Sequence, residues 1–342
     1  KQQYLKKTIL VTGAAGSIGS EIVRQLLNFN PKEIILFDNN ENSLFNIKKE
    51  LENKKSKTKF LYLLKSVTDS NSVESCFSNY EIDVVFHAAA YKHVYMTENM
   101  PQATILNNIL GTKNIVDKAL EKNVSTFVFV STDKAVNPSN IMGASKRIAE
   151  MYVSSLSSKN KTKIITTRFG NVLGSNGSVV PIFQNQIANG GPITVTHPKV
   201  TRFFMTITEA CQLVLEAGAT GNHGEIYVFD MGKPVKIIDL AINMIRLSGL
   251  IENEDIQIKF SGLNEGEKLY EELLSDQENL KKSHNKLIFI AEKEKISVRV
   301  KAMILKLIKD ASNSSSTNSL VSSMKSIVPE FKSTNSNYKT LN

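Results

Sequence analysis

The sequence predicts an α/β chain: a doubly wound parallel sheet with a smaller C-terminal lobe. Three observations support this. Short apolar, β-branched runs alternate with helix-length amphipathic segments through the first half. A glycine-rich turn separates the first run from the first helix. Residues able to do chemistry recur where the later runs end. The 342 residues suffice for one large domain and a smaller one, and 41% apolar content permits a full core.

Thr8 to Thr12 (TILVT) reads as a buried parallel strand. Gly13-Ala14-Ala15-Gly16-Ser17-Ile18-Gly19 follows, and Glu21 to Leu27 reads as a helix with Ile22, Val23, Leu26 and Leu27 apolar. Glycines at that spacing let backbone approach a pyrophosphate, and the helix start offers free N–H groups and a positive dipole end. Gly13, Ala15, Gly16, Ser17, Ile18 and Gly19 are therefore candidate dinucleotide contacts. An ordinary strand-to-helix turn is the plainer alternative. The second strand, Glu33 to Phe37, ends in Asp38, which suits both hydroxyls of an adenosine ribose and repels a 2′-phosphate. No Arg follows at positions 39–42, so the cofactor reads as NAD rather than NADP. Asp38 also suits a turn or helix cap, a role compatible with the first.

Next come a helix near Glu41 to Leu51, a strand at Phe60 to Leu64, a helix from Ser70 to Phe77 and a strand at Asp83 to His87. A long helix near Gln102 to Lys122, a strand at Thr126 to Val130, a helix near Ile141 to Leu156 and a strand at Lys163 to Thr167 complete the pattern. This is the order of a Rossmann sheet with right-handed crossovers, whose ligands lie beyond the carboxyl ends of the strands. Gly13, Asp38, Asp69, Ala88, Ala89, Ala90, Ser131 to Lys134 and Arg168 to Asn171 fall at those ends. Asp69 and Ala88 to Ala90 thereby join the cofactor candidates. From about Gly170 loop signals multiply, at 174–178, 189–192 and 220–224. The expected division is a nucleotide-binding core at 1–170, rejoined by later strands. A mainly substrate-binding lobe follows at 171–330, then a mobile Ser/Asn/Thr/Lys-rich tail at 331–342.

Composition narrows the function classes. No run of eighteen apolar residues and no signal peptide is visible, and a cytoplasmic location is expected. The chain opens Lys1-Gln2-Gln3-Tyr4-Leu5 without Met, which is compatible with membrane anchoring in a longer protein. Cys76 and Cys211 read as reduced core residues, and their spacing suits no metal. The net charge of +9 comes mostly from scattered lysines without interleaved aromatics, so no nucleic-acid partner is expected. Part of that charge can serve a diphosphate.

The most informative stretch is Ser131 to Lys146, STDKAVNPSNIMGASK. A short-chain dehydrogenase places Tyr four residues before the Lys of its catalytic helix. This chain has Met142 before Lys146, and Met carries no exchangeable proton. Thr132, Asp133 and Lys134 stand just upstream and can supply proton chemistry. Simple core packing is the plainer account of Met142.

HAAAYKHV (87–94), NNILGTKN (107–114), RFGNVLGSNGSVVPIF (168–183), VTRFFMTI (200–207), GEIYVFDMGKPVKIIDLA (224–241) and GEKLYEELL (266–274) occur in one order with the glycine motif and the Met142 segment. Over about residues 5–330 the chain resembles the extended short-chain dehydrogenases of polysaccharide biosynthesis, the nucleotide-sugar 4,6-dehydratases. Met in place of Tyr resembles the long, membrane-anchored branch, which acts on UDP-N-acetylglucosamine without inverting carbon 5. The resemblance implies NAD, a UDP-sugar substrate and a homo-oligomer. It implies Asp133 as the acid at the 6-hydroxyl and Lys134 as the base at carbon 5, roles that geometry can exchange. As free side chains these groups titrate near ~3.9 and ~10.4, so Asp133 would have to rise, Lys134 to fall, and the two to titrate together.

Lys146 is expected to hold the nicotinamide ribose with its pKa lowered, and Thr132 to orient the 4-hydroxyl. The 4-hydroxyl proton then goes to Asp133 or to a relay through Lys146. Substrate candidates are Lys92, His93, Glu98, Asn171, Ser178, Arg202 and Glu267. Lys92 and His93 equally suit a turn, and Arg202 a surface ion pair. His87 is expected to be packed rather than catalytic, and Asn107 or Asn108 to brace the catalytic segment. Two departures stand out: HVYMTENMP (93–101) replaces the family's HVPLMEENP, and Asn264 replaces an Arg expected to grip the diphosphate. A nucleotide-sugar 4-epimerase and a non-catalytic NAD-binding module are the competing functions.

Overall fold

The computed structural model describes residues 3–156, 161–272, 280–291, 295–334 and 336–342. Six strands carry the nucleotide half: β1 (Thr8–Thr12), β2 (Glu33–Asp38), β3 (Lys59–Leu64), β4 (Val84–His87), β5 (Thr126–Val130) and β6 (Lys163–Arg168). They join Ile226–Phe229, Ile288–Ala291 and Leu280–Lys282 in a nine-stranded sheet. Its order is Leu280–Lys282, Ile288–Ala291, Ile226–Phe229, β6, β5, β4, β1, β2, β3. Pairing is parallel from β3 through Ile226–Phe229, and the last two strands run antiparallel. The chain leaves β1 toward β2 and β3, then returns to lay β4, β5 and β6 on the other side. The crevice at this reversal, above β1 and β4, is where such sheets take ligands.

Strand period two explains both cores. Leu10, Ile35, Val85 and Phe127 face one side, while Ile9, Val11, Ile34, Val84 and Val128 face the other. Helices α1 (Ser17–Leu26), α2 (Glu41–Glu52), α3 (Ser70–Asn79), α4 (Val94–Asn99), α5 (Pro101–Thr104), α6 (Gly111–Glu121) and α7 (Ile141–Ser154) follow in order. The expected long helix at 102–122 is α5 and α6 joined by a π-helical segment, Ile105–Leu110, which carries Asn107 and Asn108. A third apolar cluster holds the small lobe together, built on Phe183, Ile193, Val195, Val200, Ile237, Ile245 and Ile256. Among the described residues no helix is long and apolar enough to cross a membrane. Cys76 and Cys211 are free and buried.

Two expectations are corrected here. The lobe expected at 171–330 does not hold together to its end. Helices Val298–Ser312 and Thr317–Ile327 bury Ile304, Leu307, Val321 and Met324 against the nucleotide-half core instead. The tail expected to be mobile is docked on the segment entering α7. Phe331 and Ser333 are buried, and Lys332 N–H donates to the Pro138 carbonyl at 3.2 Å. Ser336 Oγ donates to Glu98 Oε2 at 2.7 Å, and Tyr338 Oη to the Glu98 carbonyl at 3.1 Å. Polar composition hid the two aromatic anchors, Phe331 and Tyr338, that hold it.

Candidate active site

The cofactor half is built from backbone. Gly13 has φ +63, and a Cβ there would lie 2.7 Å from Ala89 N; a Cβ at Gly19 would lie 2.1 Å from the Gly13 carbonyl oxygen. Only glycine permits this packing of the β1–α1 turn against the end of β4, which leaves the start of α1 open to a ligand. Asp38 accepts from Ala15 N–H at 2.9 Å through one oxygen and from Asn40 N–H at 2.9 Å through the other. Its carboxylate therefore locks the turn, and Asp38 lines a hollow together with Gly13, Ala15, Gly16, Val67 and Ala88 to Ala90. These residues fit the adenosine and pyrophosphate of a dinucleotide. Ser17, Ile18 and Gly19 continue into the adjoining cleft.

Asp69 does not belong to this set. It caps α3, accepting from Asn71 N–H and Ser72 Oγ, with an exposed carboxylate held below the usual range chiefly by Ser72. Val67, two residues earlier, lines the hollow instead. His87 is enclosed, as expected. Thr12 and Thr112 hydroxyls meet its two ring nitrogens at 2.7 and 2.9 Å, and burial lowers its pKa to about 3. It is a neutral core residue.

An open cleft of about 1210 Å³ runs from the glycine turn to the small lobe. That is above the usual range for a single small ligand and suits a nicotinamide with a nucleotide sugar beside it. Met142 and Lys146, one turn apart on α7, both line it. Lys146 Nζ donates to the Val130 carbonyl at 2.8 Å and sits 4.0 Å above the Phe129 ring. Burial brings its ammonium down to about 7. Helix α7 is tied to the sheet by a buried pair, Arg168 Nε to Glu150 Oε1 at 2.8 Å. Arg168 thus turns away from the cleft. Asn108 braces the other side, accepting from Tyr91 N–H and donating to the Tyr91 carbonyl and Ser145 Oγ.

Thr132, Asp133 and Lys134 follow β5 after one residue, Ser131. Thr132 and Lys134 line the cleft, but Asp133 is only 2% exposed and lies behind them. Its Oδ1 accepts from Thr132 Oγ1 at 2.8 Å and from Lys134 Nζ at 3.1 Å, while its Oδ2 is buried without a hydrogen-bond partner. Burial, opposed by Lys134 and reinforced by Glu271, raises the Asp133 carboxyl above the usual range. The expectation for Lys134 is reversed. Burial alone would lower it, but the carboxylates of Asp133 and Glu271 outweigh burial and hold its ammonium above the ordinary lysine range.

Glu271 is the functional candidate that sequence reasoning missed. It ends the GEKLYE run, and no local pattern pointed it at residue 134. Its Oε1 lies 3.5 Å from Lys134 Nζ and 3.6 Å from Arg202 Nε. Arg202 also donates to Glu267 Oε1 at 2.9 Å and to the Thr201 carbonyl at 2.7 Å, and it lines the cleft rather than the outer surface. Lys92, His93, Asn171, Ser178 and Glu267 line the cleft too; Asn171 Oδ1 accepts from Lys134 Nζ at 2.9 Å, and Ser178 Oγ is buried without a partner. Asn264 lines it as well and bonds Glu267, so no guanidinium occupies that position.

Glu98 is corrected. It is absent from the cleft wall, and its Oε1 accepts from Ile141 N–H, the first residue of α7, at 2.6 Å. A carboxylate at a helix start is favourable, so Glu98 braces the start of α7, while Lys92 and His93 line the cleft.

The model of the family described as "Polysaccharide biosynthesis protein" matches residues 9–293. The chain belongs to that family. It is 56% identical over 279 residues to the capsular polysaccharide biosynthesis protein CapD of Staphylococcus aureus, covering 81% of this chain and 46% of CapD. The chain thus spans about half of that relative's length. A UDP-glucose 4-epimerase of Rickettsia rickettsii is 35% identical over 285 residues, 81% of this chain and 80% of the epimerase. Among solved structures, Pen from Bacillus thuringiensis superposes with a TM-score of 0.79 at 35% identity, covering 86% of this chain and 90% of Pen. Family membership and the Rossmann sheet agree with the sequence-based expectation.

Proposed function

We propose that this family member is an NAD-dependent nucleotide-sugar 4,6-dehydratase, a hydro-lyase. Its substrate is a UDP-N-acetylhexosamine, foremost UDP-N-acetylglucosamine, and its product keeps the carbon 5 configuration. Bacterial surface-glycan biosynthesis is the setting, with a cytoplasmic location and a homo-oligomeric state. The single observation that supports this reading is the hydrogen-bonded group Thr132–Asp133–Lys134, with Thr132 and Lys134 on the cleft wall and Asp133 buried behind them, in a cleft that has Met142 where Tyr would act.

NAD, held at the glycine turn, Asp38 and Lys146, would supply the hydride acceptor for carbon 4 and the hydride donor for carbon 6, and would be unchanged over a turnover. The chain's residues manage protons. Thr132 orients the 4-hydroxyl, and the released proton goes to the Lys146 amine on the cleft wall, which leaves Asp133 ionised. The ketone then acidifies the carbon 5 proton. Only Lys134 of the Asp133–Lys134 pair faces the sugar. As substrate expels water, transfer of the resting Lys134 proton to Asp133 leaves a neutral pair, which a dry site favours. The Lys134 amine takes the carbon 5 proton, the C–H electrons form the C5–C6 double bond, and the C6–O bond breaks. A proton from the pair leaves with the 6-hydroxyl as water; as carbon 6 is reduced the pair returns a proton to carbon 5, and the proton held since the 4-hydroxyl was oxidised restores it. Arg202 and Glu267, joined to Lys134 through Glu271, hold the diphosphate and ribose ends.

The test is product NMR after incubation with UDP-N-acetylglucosamine in heavy water. Expected is a 4-keto-6-deoxy sugar with deuterium at carbon 5 and NAD(H) retained on the protein; Asp38→Ala weakens the preference for NAD over NADP. A product keeping its 6-hydroxyl with carbon 4 inverted would replace this reading with the epimerase suggested by the Rickettsia relative.

A further inference from the structure

The charges in and behind the cleft wall form one connected group. Glu271 Oε1 is shared between Lys134 Nζ at 3.5 Å and Arg202 Nε at 3.6 Å, and the Glu271 side chain is 5% exposed. Arg202 has alternatives, since Glu267 and the Thr201 and Leu269 carbonyls all accept from it. Lys134 has fewer: besides Glu271 it has only Asp133 and Asn171 among the described residues. Lys268 is the remaining charge that acts on Glu271.

We propose that Glu271 is a positioning residue for the elimination: its buried carboxylate fixes the Lys134 amine toward the sugar and stabilises the ammonium that forms when carbon 5 loses its proton. The role in turnover rests on the dehydratase reading; the hold on Lys134 does not. A base grows stronger when an anion stands ready beside its protonated form. Asp133 cannot serve this purpose alone, because a proton resting on its carboxyl removes its charge. Glu271 remains the fixed anion while Asp133 and Lys134 exchange a proton. Consistent with this, Lys134, Arg202 and Lys268 outweigh burial and hold the Glu271 carboxyl below the usual range.

The experiment compares the parent with Glu271→Gln and Glu271→Asp, each checked for an unchanged melting profile. Three measurements are made: kcat against pH with UDP-N-acetylglucosamine, the affinity for UDP, and competitive acetylation of Lys134 against pH, read by peptide mass spectrometry. Glu271→Gln is expected to lower kcat roughly tenfold or more and to move the pH-rate profile to lower pH, since Asp133 and Lys134 both lose a raising influence. Lys134 labelling should begin at lower pH, while UDP affinity holds within about threefold because Arg202 keeps its other partners. Glu271→Asp should restore part of both effects. A Gln variant with parental kcat and parental labelling overturns the proposal. A fall in UDP affinity with an unmoved pH profile also overturns it, making Glu271 an Arg202 anchor. If the parent performs no dehydration yet the labelling shift appears, the dehydratase reading fails and the hold on Lys134 stands.

Discussion

The two halves of the cleft are built on opposite principles. On the cofactor side, one short segment and one strand end do nearly everything: Gly13 to Gly19 supply backbone, and Asp38, only 23 residues from Ala15, locks the turn. On the sugar side, Lys134 meets Asn171, 37 residues away, and also Glu271 in the following lobe. The first half contains one fixed carboxylate. The second links Asp133, Lys134, Glu271, Arg202 and Glu267, in that order, in a chain of ion pairs. A backbone cradle tolerates little change in shape, whereas a charge cluster tolerates little change in proton count.

Substitutions on the two sides should fail differently. The largest effect belongs to the charge cluster: Asp133→Asn and Lys134→Ala should each lower turnover by about a hundredfold or more, with NAD affinity preserved. Turnover near the parental rate in either variant would remove that residue from the chemistry. Gly13→Ala should act in the reverse sense. A left-handed alanine costs about 1–2 kcal/mol before any clash with Ala89, so NAD affinity should fall roughly tenfold or more in calorimetry. Retained affinity would mean that the turn yields more than its packing implies. Met142→Tyr tests where the halves meet. It adds volume to a 4%-exposed position, an overpacking worth about 1–3 kcal/mol, and its phenol competes with Thr132 for the 4-hydroxyl. Steady-state rates should stay level or drop; a tenfold gain would reveal a degraded Tyr-dependent site.

The smallest effect is on stability. Lys146 titrates near ~10.4 when unfolded but near about 7 in the fold, where burial disfavours its charge. Between those values the unfolded chain holds the extra proton, so stability rises with pH across the window and is flat below about 7. Thermal melts of the cofactor-free protein should show Lys146→Met gaining most over the parent at pH 7 or below, with the gain shrinking toward alkaline pH. A difference independent of pH would contradict the burial of that charge.

What was legible in the sequence follows from range. Period-two strands, the glycine turn after β1, the place of Asp38 at the end of β2 and the one-turn spacing of Met142 and Lys146 on α7 depend on neighbours in the chain. Asp69 misled because an acidic residue at a strand end and a helix N-cap share one local signature; α3 claimed it. Glu98 misled for a related reason: α4 carries it near the cleft, but the free N–H at the start of α7 takes its carboxylate. The tail was misjudged by composition, though Phe331 and Tyr338 were there to anchor it.

By itself the sequence determined the sheet, the dinucleotide cradle and the residue types available for proton transfer, because backbone conformation and hydrophobic period are set over a few residues. Only the tertiary structure decided that Asp133 lies behind Lys134, that Lys134 is held charged, and that Glu271 joins it to Arg202. The pKa of a buried group depends on which charges the fold brings within a few ångströms and on how much water it excludes, and neither is encoded in local order.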